Sequence, residues 1–248
     1  MTGLPLRLVF ADAGEAADLA AFLARLIHYD RAAAVRLQAR ADGGTEQSLA
    51  VFGRPPSFEV LAVRTARLAA QAELDSTVSA GELLESIDEQ GAAATVPGAV
   101  TGPPWAGLLP PRSGWRQLPG LPSPDALHSA VAAVVAEFRV RTEELPADRR
   151  TRAELDRIGR EIWSRPVGDT ALPVRAAHAA HSLGFLRPVR VAVPDLSTGS
   201  GTGHLGGSGH SGPYTLLGAG SWLRLRTPYG STAVREASGL GGLSVTPT

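Results

Sequence analysis

Two stretches, residues 150–186 and 222–235, constrain the fold of this chain more than any others. Between Arg152 and Arg165, Leu155, Ile158, Ile162 and Trp163 fall on one side of a helix. Between Val174 and Leu186, Ala176, Ala180 and Leu183 repeat on one face, and Pro188 closes the segment. A Gly/Pro turn joins the two. The later stretch, Trp222–Arg226 and Ser231–Arg235 around Thr227-Pro228-Tyr229-Gly230, alternates like the two arms of a β-hairpin. A further helix precedes them. Leu127, Val131, Val134 and Phe138 recur at helical spacing between Asp125 and Glu144, after Ser123-Pro124 and before Leu145-Pro146.

Helix, turn, helix and then hairpin is the element order of a winged helix, and the C-terminal part resembles that fold. The resemblance implies a recognition surface on the second helix and the hairpin. Arg175, His178, His181 and Ser182 form a polar stripe opposite the alanine face, and no acid lies between Ala171 and Pro194. Arg224 and Arg226 share a hairpin face with Trp222. These six are the expected nucleic-acid or partner-binding residues. Five such side chains on phosphates would give a log–log salt slope of about −4 to −5. Against DNA stands the preceding helix, whose spacings pair Arg152 with Asp156, Asp156 with Arg160, Arg157 with Glu161 and Glu161 with Arg165. Such i,i+4 pairs describe a solvated face.

The N-terminal part reads as β-α-β-β-β-β-α. Leu6–Phe10 is a strand, and Glu15–Tyr29 a helix with Leu19, Phe22, Leu23, Leu26 and Ile27 on one face. Val35–Arg40 alternates, Asp42-Gly43-Gly44 turns, and Ser48–Phe52 returns. Phe58–Leu68 and Glu73–Val78 make a further pair, and Ser79 with Glu82 has capping-box spacing before a short helix. The expected fold class is α+β: a small antiparallel sheet with one covering helix, then the winged-helix-like module. The expected divisions are a sheet domain at 1–90, a strap at 91–124, a helical domain at 125–237 with a disordered Gly/Ser insert at 195–213, and a tail at 238–248. Trp105 and Trp115 argue that the strap is ordered against a neighbour, since burying one indole is worth at most about 4–6 kcal/mol.

Composition removes several chemistries. There is no cysteine, and all 24 basic residues are Arg, so thiolate metal sites, cysteine nucleophiles, a P-loop lysine and a Schiff-base lysine are excluded. The formal charge is zero, which supplies no global attraction for nucleic acid. Residues 1–120 carry 10 Arg against 13 acids and residues 121–248 carry 14 against 11, a mild asymmetry. No window has the length and apolarity of a membrane span, and a cytoplasmic protein without cofactor or metal is expected.

Gly201–Gly206 matches G-x-G-x-x-G, yet no helix can follow through Gly207–Pro213, so it lacks the amide cluster that binds a pyrophosphate. His178 and His181 stand three apart and would need a third metal ligand; of His128, His204 and His210 in this half, two lie in the Gly/Ser stretch, so solvated or nucleic-acid-facing histidines are expected. Asp12, ahead of the first helix, is a helix cap or, less simply, the centre of an unfamiliar hydrolase or transferase. Glu73 and Asp75 would share a strand face with nothing opposing them, and Arg7, Arg36 and Arg64 are expected as the solvent face of a one-sided sheet rather than as an anionic-ligand site. The leading expectation is a non-catalytic regulatory or protein-interaction protein with a protein partner. The alternative is a sequence-specific DNA-binding regulator.

Overall fold

The computed structural model describes residues 6–40, 47–56, 58–187 and 214–236. The expected Gly/Ser insert, the Gly201–Gly206 motif, the Asp42-Gly43-Gly44 turn and the tail lie outside the described residues.

Strand β1 (Arg7–Val9) leads into α1 (Ala13–Tyr29), whose N-terminus is capped by Asp12. There follow β2 (Ala34–Ala39), β3 (Gln47–Gly53), β4 (Leu61–Leu68), β5 (Leu74–Ser79), α2 (Ala80–Glu85), β6 (Ile87–Asp88) and β7 (Ala93–Thr95). After a long crossing segment come β8 (Arg116–Leu118), α3 (Pro124–Glu143), α4 (Arg152–Trp163) and α5 (Val174–Ser182). The described chain ends with β9 (Thr215–Ala219), β10 (Trp222–Thr227) and β11 (Gly230–Arg235).

The protein is α+β, and its C-terminal end is made of strands rather than a helical module carrying a wing. The hairpin β10–β11 takes β9 on one side and adds itself to β4 on the other. The result is an eight-stranded antiparallel sheet in the order β5-β2-β3-β4-β11-β10-β9-β8. This corrects the winged-helix expectation, and it also corrects the small sheet under one helix. The cause is physical. Without β11, the edge of β4 would leave backbone donors and acceptors unpaired, and an isolated hairpin is marginal in water. Pairing Leu61, Ala62 and Val63 with Ala233, Thr232 and Ser231 resolves both. The first strand is likewise not in the main sheet but joins a three-stranded one, β1-β7-β6.

Each half repeats one plan. A helix precedes a three-strand meander, α1–β2–β3–β4 and α5–β9–β10–β11, and the two third strands meet at the centre. Helices cover one face only. Against it point Val35 and Leu37, Leu49 and Val51, Ala62 and Ala66, Leu223 and Leu225, and Val234, in a single core that also holds Phe22 of α1 and Ala176 and Ala180 of α5. The expected halves therefore share that core. Phe22 stacks on Phe185 with centroids 5.7 Å apart. Gly230, at φ 152, lies so close to Phe185 that a β-carbon would meet its ring at 2.6 Å, which explains the glycine closing the hairpin turn.

Helix α4 does not leave its charged side to solvent alone. Arg141 of α3 grips Glu161 at 2.7 and 2.9 Å, and Arg165 grips Glu137 at 2.6 and 2.9 Å. Among the expected pairs, Arg152–Asp156, Arg157–Glu161 and Glu161–Arg165 are present at 3.8, 3.7 and 3.4 Å. Arg141, and then Arg165, hold the Glu161 carboxyl down at about 2.

Candidate binding trench

The face of the sheet away from the helices is crossed by the segment between β7 and β8. It leaves one edge, where Ala99 bridges to Val78 of β5 and the Val100 amide donates to the Thr77 carbonyl at 2.9 Å. It rejoins the sheet as β8 on β9, at the opposite edge. Seven inter-strand spacings amount to roughly 33 Å, and about fifteen extended residues reach roughly 50 Å, so the strap has length to spare for a turn. It uses that slack in a short 3-10 turn at Pro104–Gly107, which carries Trp105. Further on, the Trp115 indole donates to the Pro111 carbonyl at 2.8 Å.

Beneath the strap the strand alternation presents Arg36 and Gln38, Ser48 and Phe52, Val63 and Thr65, Ser231, and Arg224 with Arg226. Two clefts of about 330 Å³ each lie there. The first is lined by Gln38, Arg40, Ser48, Phe52, Pro111 and Arg112. The second holds Trp115, Arg226, Thr227 and Ser231. Both touch Val63, Thr65 and Arg224, so together they form one trench across the sheet.

Arg224 is the centre of that trench. Its Nε donates to Ser231 Oγ at 2.8 Å, and its guanidinium lies 5.7 Å from the Trp115 ring centroid. Burial, and secondarily the Arg226 cation beside it, push its pKa below the ordinary guanidinium value. Among the described residues no carboxylate lies within ion-pair distance of Arg224, Arg226, Arg40 or Arg112. An acid on this face, Asp75, is already engaged by Arg36 at 2.7 Å and by Gln38 at 3.2 Å. The Arg36 bond foremost, with Gln38, Arg36 and Arg112 charge behind it, holds Asp75 below the usual carboxylate range.

The six expected site residues do not make one surface. Arg224 and Arg226 share a face with Trp222 and line the trench or its neighbourhood. Arg175, at the start of α5, lines a separate cleft with Trp105 and Trp222. His178 does not face a groove: its ring lies 4.6 Å from that of Trp163 at 7°, and 5.1 Å from that of Phe58. Burial foremost, then the His181 charge, lowers its pKa. His181 meets His128 edge-on at 5.9 Å, and Ser182 borders a shallow depression with Arg25, His28 and Tyr29 of α1. Helix α5 is closely packed through its alanines. Ala176, Ala177, Ala179 and Ala180 are all fully buried, and Thr232 of β11 donates to the Ala176 carbonyl at 3.0 Å.

Other expected residues are spoken for. Asp12 accepts from the Glu15 amide at 3.0 Å with one oxygen and pairs with Arg67 at 2.9 Å with the other, so it is the cap. Arg7, Arg36 and Arg64 are dispersed: β1 is outside the main sheet, Arg36 is on the open face, and Arg64 turns toward α1. Among the described residues no cluster of three His, Asp or Glu is placed to hold a metal ion, and no helix is long and apolar enough to cross a membrane. Ser231, Thr65, Arg112 and Trp115 were not expected. Trp115 had a signal as an anchor of the strap, and Ser231 had one because the turn between Thr227 and Gly230 sets it directly opposite Arg226.

No curated protein and no solved structure matches the chain. Residues 4–107, the first meander and the beginning of the strap, match the family model described as Domain of unknown function (DUF8010). Residues 110–239, from the end of the strap through the last strand and over half of the chain, match the model described as Domain of unknown function (DUF8185), and the chain belongs to that family.

Proposed function

We propose that this is a non-catalytic protein-interaction protein that receives an extended acidic segment of a protein partner in the trench under the strap. The observation that carries the reading is Arg224: a half-buried guanidinium held by a serine hydroxyl and an indole, with a second arginine beside it and, among the described residues, no carboxylate within ion-pair distance of either. A cation withdrawn from water without a counter-charge is costly, and an acidic side chain from a partner would lower that cost through charge-assisted hydrogen bonds. The surrounding wall of Pro110, Pro111, Phe52 and Val63 supplies apolar surface to alternate side chains of an extended chain. A hydrolytic or transfer reaction has no comparable support, since Asp12 is committed on both oxygens.

The alternative of sequence-specific DNA binding through α5 draws no support from a helix whose alanines are buried and whose His178 stacks on Trp163 and leans against Phe58. The test is a fluorescence-anisotropy titration of the whole chain with a labelled peptide alternating Glu and Val. Its controls are the Lys–Val counterpart and a labelled oligothymidylate. The Glu–Val peptide is expected to bind, to weaken with added salt, and to lose at least about tenfold in affinity with Arg224→Gln plus Arg226→Gln. Equal binding of the Lys–Val peptide, or tighter binding of the oligothymidylate, would contradict the reading.

A further inference from the structure

A second cleft, of about 450 Å³, opens where the strap first turns over the sheet. It shares no lining residue with the trench and stands whether or not the trench reading holds. Its floor is the cross-strand pair Leu61 and Ala233, directly opposite each other at the β4–β11 junction. Trp105 and Leu108 of the strap and Trp222 of β10 line it. Among the described residues its lining also holds three cations, Arg54, Arg175 and Arg235, and a single acid, Glu59.

Three features distinguish it from a packing defect. Its volume is that of a small-molecule site rather than of a void between side chains, which in a well-packed protein seldom exceeds a water. Its cations are unneutralised: among the described residues none of the three arginines has a carboxylate within ion-pair distance, and the buried Nε of Arg175 has no hydrogen-bond acceptor. Arg235, which also lines the cleft, is held over the Trp222 ring at 5.9 Å. Finally, Glu59 is held at φ 52, a left-handed conformation that ordinary residues avoid, and such strain concentrates where a ligand is gripped.

We propose that the cleft between Trp105 and Trp222 is a binding site for a small aryl carboxylate, the ring lying between the two indoles and the carboxylate taken by Arg175 with Arg235. Two indoles select a flat apolar body, and three cations against one acid select an anionic head. The arginine fork suits a planar carboxylate, to which it donates two parallel bonds. Because Trp105 belongs to the strap and Trp222 to the sheet, a ligand lying between them ties the strap down at one end.

The probe is 2-naphthoate, with its neutral analogue 2-naphthalenemethanol as the control. The readout is the ¹⁹F spectrum of the whole chain labelled with 5-fluorotryptophan, each resonance assigned by a Trp→Phe variant. Naphthoate is expected to move the Trp105 and Trp222 resonances saturably while Trp115 and Trp163 stay in place. Arg175→Met is expected to weaken naphthoate at least about tenfold and to leave the neutral analogue unchanged. If Arg175→Met does not fold, Arg54→Gln combined with Arg235→Gln, both lining the cleft, is expected to weaken naphthoate several-fold. The proposal is overturned by no saturable shift, by a shift centred on Trp115, by equal affinity for the neutral analogue, or by arginine variants that bind as the parent does.

Discussion

Two arginines close to the centre of the sheet, Arg64 on β4 and Arg224 on β10, are withdrawn from water in opposite ways. Arg64 turns toward the helices and is almost fully satisfied: it pairs with Glu15 at 3.2 Å and Asp18 at 3.1 Å and donates to the Tyr229 carbonyl at 2.9 Å. Asp18 continues the network to Arg187, which lies 4.1 Å above the Tyr229 ring. Since Arg64, Glu15 and Asp18 belong to the first half and Tyr229 and Arg187 to the second, this network fastens the two meanders together. Arg224, on the other face, has a hydroxyl, a ring and a second cation as neighbours. A buried charge with its partners present belongs to the fold. One without a carboxylate among the described residues is, on the proposed reading, a position held for a partner.

The largest effect expected from this contrast is on stability. Arg64→Met removes the cation shared by Glu15 and Asp18 and should cost about 3 kcal/mol, at the low end for a broken buried pair because Asp18 is partly exposed and retains Arg187 and Glu15 retains Arg67. Urea unfolding measures this, and an unchanged midpoint would erase the difference between the two arginines. A smaller effect sharpens the same division. Thr232, on the helix side, spends its hydroxyl on the Ala176 carbonyl, so Thr232→Val should cost about 1 kcal/mol in the same assay.

The smallest is a pH effect on the helix layer. His178 is neutral between its two aromatic neighbours, its pKa lowered in the folded state by burial and then by His181. As pH falls below the unfolded value near 6.5, the unfolded chain takes a proton that the native chain refuses, so stability declines from there through the lowered native pKa. Unfolding midpoints between about pH 7 and pH 5 should fall for the parent and fall less for His178→Phe, and parallel declines would show that His178 carries none of the slope.

Much of this architecture is written locally. The 3.6-residue spacing of Leu19, Phe22, Leu23 and Leu26 marks α1, and the alternation of Val35, Leu37 and Ala39 marks β2, because each buries one face against the core. What does not show in the sequence is which edges meet. The pairing of β4 with β11 is made by backbone groups between segments far apart in the chain, and no side-chain period records it. The three-residue β8 has two exposed side chains and offers no pattern. The alanines of α5 read as the inner face of an amphipathic helix, and they are small enough to be packed between β11 and α3, so that Ala176, Ala177, Ala179 and Ala180 are all buried. At the site, Arg224 and Arg226 were legible from strand alternation, whereas Trp115 reaches them only because the strap returns across the sheet.

Denaturation of Arg224→Met, alone and with the Glu–Val peptide, tests the central contrast most directly. The account predicts a stability equal to the parent or higher by up to about 1 kcal/mol without peptide, together with loss of the stabilisation that the peptide confers on the parent. A loss of stability comparable to that of Arg64→Met, or stabilisation by the peptide as large as in the parent, would contradict it.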